Sequence, residues 1–186
     1  NIINIAGFNF CMPETSAAIA REQLKKLPRL NRVRLELVEH LKLGLKPFDC
    51  FRPLKRPFSD ENGANSNDEE CLSTYYVLPI RYFSEKVGVG RETFIDALNQ
   101  EGVHFYQGYV SPLYLQPVYQ KRQLFKHGYP FTASANKMCL QEYKKGICPI
   151  AEKLHFEEIV INEHIRAPHT LKDIDDIIVS VTKLFA

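Results

Sequence analysis

The chain has 186 residues, 45% of them apolar and 11% aromatic, enough to build a substantial core in one large or two small domains. Its 24 basic side chains nearly cancel its 22 acidic ones, and the net charge of +2 gives no electrostatic case for nucleic acid or an anionic membrane as the main partner. No apolar run approaches the roughly 18–20 residues that span a bilayer, and the start Asn1-Ile2-Ile3-Asn4-Ile5 has no basic stretch ahead of an apolar one, so neither an anchor nor a signal peptide is expected.

From Pro13 to about Leu45 the pattern is helical, with Ala17, Ala20, Leu24, Leu27, Val33, Leu37 and Leu41 on one stripe. Pro28 removes a hydrogen bond and clashes with the preceding turn, which predicts a kink or two consecutive helices joined near Lys26 to Arg29. Phe48 to Leu54 is aromatic and broken by proline. The stretch 59–70 is almost wholly polar and is expected to be a mobile surface loop. Leu72 to Phe83 reads as a strand. Arg91 to Gln100 reads as a helix with Phe94, Ile95 and Leu98 inward and Gly102 as its stop.

Val103 to Tyr106 is the next expected strand, and Gln107 to Lys121, dense in tyrosine and proline, suits an ordered loop of the kind that lines sites. Further on, Cys148 to Leu154 is expected to be a short helix and Glu158 to Ile161 a short strand. Thr170 and Asp173 have capping-box spacing ahead of a helix whose apolar face is Leu171, Ile174, Ile177, Ile178, Val181 and Leu184. Strands and helices alternate irregularly, which favours an α+β fold with a small, mostly antiparallel sheet over a doubly wound one.

Five cysteines without a Cys-x-x-Cys pair suit free thiols in a reducing cytoplasm. His104, His155, His164 and His169 with Cys148 lack the short ligand spacings of structural zinc sites, so no metal is expected. Ser134-Ala135-Asn136-Lys137 fits a Ser-x-x-Lys pattern but has none of its companion motifs, and a polar loop is the better account. Tyrosine offers an apolar face and a polar tip, so Tyr109, Tyr114 and Tyr119 are candidates to contact a sugar, with ordinary packing an equal alternative for each. Gln116 and Lys121 are candidates for polar substrate groups, and a solvated loop explains them equally well.

The run Gly7-Phe8-Asn9-Phe10-Cys11-Met12-Pro13-Glu14-Thr15-Ser16-Ala17-Ala18-Ile19-Ala20 and the pair Gln23-Leu24 resemble a signature of the DegT/DnrJ/StrS sugar aminotransferases. The resemblance continues through Phe94-Ile95-Asp96-Ala97-Leu98, Pro112-Leu113-Tyr114-Leu115-Gln116-Pro117-Val118-Tyr119, Cys148-Pro149-Ile150-Ala151-Glu152 and Asp173-Ile174-Asp175-Asp176-Ile177. One such motif is weak evidence; five in register are strong.

The resemblance implies a homodimer of fold-type I subunits in which pyridoxal phosphate (PLP) forms a Schiff base with a lysine of a large domain. It also implies transfer of an amino group from glutamate or glutamine to a keto group of a nucleotide-linked sugar or cyclitol. In such enzymes the lysine lies upstream of the glycine-asparagine motif. No catalytic residue is therefore expected within this chain, and PLP is not expected to bind it covalently.

By the same resemblance, residues 1–45 are a linking segment and long kinked helix, and residues 46–186 a small C-terminal domain. Asn9 occupies the place of a residue that reaches the cofactor phosphate of the partner subunit, the alternative being a turn residue whose amide satisfies nearby backbone. Cys11 stands where arginine is common and supplies neither its charge nor its fork of donors. Two readings follow: part of a larger aminotransferase that is inactive alone, or a stand-alone binding or dimerisation module. A fragment is expected to expose apolar surface that normally packs against the large domain, for example on the Ala17 to Leu27 helix, which predicts self-association.

Overall fold

Proline decides how the N-terminal helical stretch is divided. The computed structural model describes residues 11–54, 73–122, 124–136 and 142–185; Asn9, Lys137 and the polar stretch 59–70 lie outside the described residues. Helix α1 spans Glu14–Leu24 and α2 spans Leu27–Leu45, with Pro28 in the first turn of α2, where its missing N–H costs nothing. The two consecutive helices expected from the sequence are therefore present, joined by a turn in which the Lys26 amide donates to the Gln23 carbonyl.

The apolar stripe is continuous in sequence but not in burial. In α2, Leu37, Val38, Leu41 and Leu45 are buried, whereas α1 buries no residue. Ile19 and Leu24 on α1 are each 64% exposed.

Among the described residues four short strands form one sheet: β1 Phe51–Pro53, β2 Leu78–Tyr82, β3 Tyr106–Gln107 and β4 Ile159–Asn162. They lie in the order β1-β2-β4-β3, and every neighbouring pair is antiparallel. The fold is α+β with a small antiparallel sheet, as the sequence pattern predicts. Between β2 and β3 lie the single-turn α3 (Ser84–Val87) and α4 (Arg91–Gln100); α5 (Pro117–Gln120) and α6 (Pro149–Lys153) follow, and α7 (Leu171–Leu184) comes last.

Alternation along β2 separates the two faces of the sheet. Leu78, Ile80 and Tyr82 are buried towards the helices, while Pro79 and Arg81 point the other way. Against this inward face Phe51 of β1 meets Phe94 of α4 edge-on at 5.2 Å and Phe105, just before β3, at 5.7 Å. Tyr82 stacks on Phe94 at 4.5 Å and donates its hydroxyl to the Val89 carbonyl. Helices α2 and α7 close this core with Leu41, Leu45, Ile174 and Val181.

Differences from the sequence expectations are local. The predicted strand from Leu72 shrinks to Leu78–Tyr82, and the aromatic Phe48 to Leu54 stretch supplies a strand because β2 offers Phe51–Pro53 a hydrogen-bonding edge. The strand expected from Val103 reduces to two residues, since Val103 and Phe105 turn into the core before pairing begins. The helix from Arg91 to Gln100 has the expected bounds. The α7 capping box is also present, with the Thr170 amide donating to the Asp173 carboxylate at 2.7 Å.

At Gly44 α2 packs closely on α7: a Cβ there would lie 2.2 Å from Ile178 Cδ1 and 2.6 Å from its Cγ1. Alanine normally gains about 1 kcal/mol over glycine within a helix. Here overpacking is expected to reverse that sign, with Gly44→Ala destabilising by about 1–3 kcal/mol in urea unfolding. A stabilised variant would show that Ile178 swings aside freely.

Candidate functional site

The outward face of the sheet forms the floor of a cleft of about 660 Å³. Pro79 of β2 with Ile159 and Ile161 of β4 make the floor, the 109–112 loop one wall, and Ala151, Leu154 and His155 another; Tyr75 and Tyr76 complete the rim. Among the described residues none that lines it is Asp, Glu, Lys or Arg.

The tyrosine- and proline-rich loop is held in place by its own side chains. Tyr114 donates its hydroxyl to the Glu152 carboxylate on α6, which also accepts from the Gly146 amide at 2.6 Å. Partial burial and the facing Glu152 carboxylate push the Tyr114 hydroxyl up to about 12. The hydrogen bond from Tyr114, joined by backbone donors and opposed by desolvation, holds Glu152 below the usual carboxylate range. Gln116 is 3% exposed and donates to the Ser111 carbonyl, so its amide braces the loop from within.

The candidate site residues thus separate. Tyr109 is 56% exposed and lines the cleft, whereas Tyr114 and Gln116 already have protein partners away from its lining. Asn9 lies outside the described residues. Tyr119 meets Tyr143 at 5.3 Å between ring centroids.

The histidines separate as well. His155 lines the cleft, while His104, His164 and His169 line a second cleft of about 450 Å³ together with Glu101, Asp173 and Asp176.

Two charged groups behind the first cleft escaped the sequence reading. Arg91 opens α4, where a cation opposes the helix dipole. That misplaced charge is the signal that the side chain serves elsewhere: its guanidinium donates to the carbonyls of His155, Phe156 and Ile159 at 2.8–2.9 Å. Burial lowers its pKa. The His155 and Phe156 carbonyls belong to a widened π-turn between α6 and β4, Leu154–Glu158, a conformation frequent at functional sites, and the Ile159 carbonyl opens β4.

Glu158, 3% exposed, closes that turn between two cations: Arg81 Nε donates to it at 2.7 Å and Lys153 Nζ lies 3.0 Å from its other oxygen. Burial favours its neutral form, but Lys153 and Arg81 outweigh burial and hold it below the usual carboxylate range. A carboxylate depressed on folding contributes stability that is complete above its unfolded pKa of about 4.3 and is lost as pH falls through the lower folded value. Glu158→Gln is therefore expected to cost stability at pH 7 and to flatten the loss below about pH 4, as read from urea midpoints across the acid range.

Among the described residues no helix is long and apolar enough to cross a membrane. The aminotransferase from Psychrobacter cryohalolentis superposes with a TM-score of 0.68 at 18% identity, covering 96% of this chain and 40% of that one. Helicobacter pylori PseC, an aminotransferase involved in pseudoaminic acid biosynthesis, gives 0.61 at 23% identity over 96% of this chain and 39% of its own. DesV of S. venezuelae, solved with a ketimine intermediate, gives 0.55 at 20% identity over 89% and 36%. At such identities these likenesses establish the fold, and the chain spans about two-fifths of each of the first two structures. No curated protein sequence matches. The model of the DegT/DnrJ/EryC1/StrS aminotransferase family matches residues 2–178, nearly the whole length, and the chain belongs to that family.

Proposed function

We propose that this chain is the C-terminal part of a PLP-dependent sugar aminotransferase that moves an amino group from glutamate or glutamine to a keto group of a nucleotide-linked sugar or cyclitol. The observation that carries the reading is the family match over residues 2–178, supported by aminotransferase folds that superpose on 96% of the chain. In this reading residues 1–45 link a large domain to a small domain formed by residues 46–186, and the protein works as a cytoplasmic homodimer. The uncovered face of α1, with Ile19 and Leu24 exposed, favours packing of that helix against further polypeptide.

Family members depend on PLP in general, but the described clefts do not fit its phosphate. Among the described residues the larger is lined by no Asp, Glu, Lys or Arg, and the smaller by three carboxylates and no Lys or Arg. The cofactor is accordingly assigned to the remainder of the protein, with Asn9 contributing an amide to the phosphate. Tyr109, Tyr114 and Gln116 belong to the substrate side, Tyr109 by contact and the other two by holding the loop.

The test is spectroscopic. The complete protein loaded with PLP is expected to lose its visible cofactor band on adding glutamate and to regain it with a keto sugar nucleotide. The 186-residue chain alone, treated with PLP and borohydride, is expected to yield no stoichiometric lysine adduct. A band unmoved by every amino donor overturns the activity; a single modified lysine in this chain overturns the division of labour.

A further inference from the structure

The rim of the first cleft is held by a helix that does not line it. Residues 73–77 form one side of the cleft, and α2 contributes no lining residue among those described. Two α2 cations reach this segment nonetheless: Arg34 Nη1 donates to the Thr74 carbonyl at 3.1 Å, and Lys42 Nζ donates to the Tyr75 hydroxyl at 2.6 Å. The two cations stand about 12 Å apart along the helix axis. Lys42 keeps only 19% of its side chain exposed and is steadied by Glu39 at 2.9 Å. An ammonium has donors and no acceptor, so the Tyr75 oxygen is the accepting atom.

What these contacts hold is a strained backbone. Tyr75 lies at φ 45°, in the left-handed region that a bulky side chain rarely enters, and such a conformation persists only where its surroundings over-determine it. No sheet pairing imposes it, since β2 begins at Leu78. The rotation is instead fixed from both sides. Arg34 holds the carbonyl of the peptide that carries the Tyr75 N–H, and Lys42 holds the far end of the Tyr75 side chain, which packs against the core. Tyr76, next in the chain, is thereby left 75% exposed at the cleft.

We propose that Lys42 is a positioning residue for this cleft: acting through Tyr75, with Arg34 as the second anchor, it sets where Tyr76 stands and so how tightly the acceptor substrate is held. The amino-group chemistry itself belongs to the remainder of the protein. The proposal rests on the aminotransferase reading for the identity of that substrate, whereas the placement of Tyr76 is independent of it.

The experiment follows the two half-reactions of the complete, PLP-loaded protein by the visible cofactor band, its loss with glutamate and its recovery with the keto sugar nucleotide that restores it in the unaltered protein. Lys42→Met keeps the aliphatic stem and removes the donor. It is expected to raise the half-saturating concentration of the keto sugar nucleotide about tenfold while the glutamate half-reaction changes by less than about twofold. Lys42→Arg, which keeps a charged donor, is expected to recover most of the loss. Tyr75→Phe is expected to match Lys42→Met, with the double variant no worse than either. In parallel, fluorine NMR of protein labelled with 3-fluorotyrosine, with Tyr76 assigned through Tyr76→Phe, is expected to show the Tyr76 signal shifted by Lys42→Met and returned by Lys42→Arg. Equal losses in both half-reactions, additive effects of Lys42→Met and Tyr75→Phe, or a Tyr76 signal that Lys42→Met leaves in place each overturn the proposal. An unaltered protein that never transaminates removes the functional reading alone, and the Tyr76 signal then decides the placement.

Discussion

Phe51→Ala is expected to cost about 3–5 kcal/mol, the range for removing a buried aromatic ring from a packed core. Phe51 is fully buried and its ring supports both Phe94 and Phe105, so truncation opens a cavity between the sheet and α4 and forfeits two edge-to-face contacts. Neighbouring rings cannot collapse into the space easily, because Phe94 is itself clamped between Tyr82 at 4.5 Å and Phe185 at 5.3 Å. Phe51→Leu keeps much of the volume and is expected to cost about 1.5 kcal/mol or less. Urea unfolding of both variants measures the difference; a loss under about 1 kcal/mol for the alanine would mean that the ring cluster is not the centre of the core.

Arg91→Met is the second large effect, at about 2–3 kcal/mol. The methionine preserves much of the aliphatic stem but removes donors to three carbonyls, and hydrogen bonds from a charged group are worth more than neutral ones. Arg91→Lys is expected to recover only part of the loss, since one ammonium cannot reproduce the planar fork that spans the π-turn. A second reading comes from His155. Its pKa is depressed first by burial and then by the Arg91 charge, so removing that charge must raise it. An NMR titration in which His155 of Arg91→Met titrates at an unchanged or lower pH would contradict the geometry, because among the described residues Arg91 is the cation that depresses that ring.

The legible parts of this protein are those governed by interactions within a few residues. The bounds of α4 follow from Phe94, Ile95 and Leu98 at helical spacing and from Gly102 beyond the last turn. The start of α7 follows from Thr170 and Asp173, three residues apart and joined by the hydrogen bonds their spacing predicts. Pro28 cut the N-terminal helix near the expected position for a reason of the same range, one missing N–H and one steric clash. The family, too, was readable in sequence, because its motifs stand in order along the chain and the family match spans them.

Pairings between distant residues were not legible. Periodicity treats Ala17, Leu24 and Leu41 as one stripe, but only the tertiary structure shows that α2 is covered by α7 while α1 is left uncovered. Arg91 finds its carbonyls 64 to 68 positions away, and Arg81 finds Glu158 at a separation of 77. Tyr109, Tyr114 and Gln116 looked alike as members of one polar, aromatic loop. Folding distinguished them: Glu152 engages Tyr114, the Ser111 carbonyl engages Gln116, and Tyr109 remains on the cleft.

By itself, then, the sequence determined the longer helices and the breaks between them, the α+β class and the family, while the single-turn α3 and α5 went unread, since helical period, proline geometry and motif order are properties of neighbouring residues. The tertiary structure alone decided which apolar faces are covered, which polar groups are already satisfied, and that a cleft carrying His155, with no Asp, Glu, Lys or Arg among its described lining, lies on the outward face of the sheet. Those outcomes depend on the register β2 and β4 adopt and on which chain segments meet across that sheet, and no local spacing encodes either.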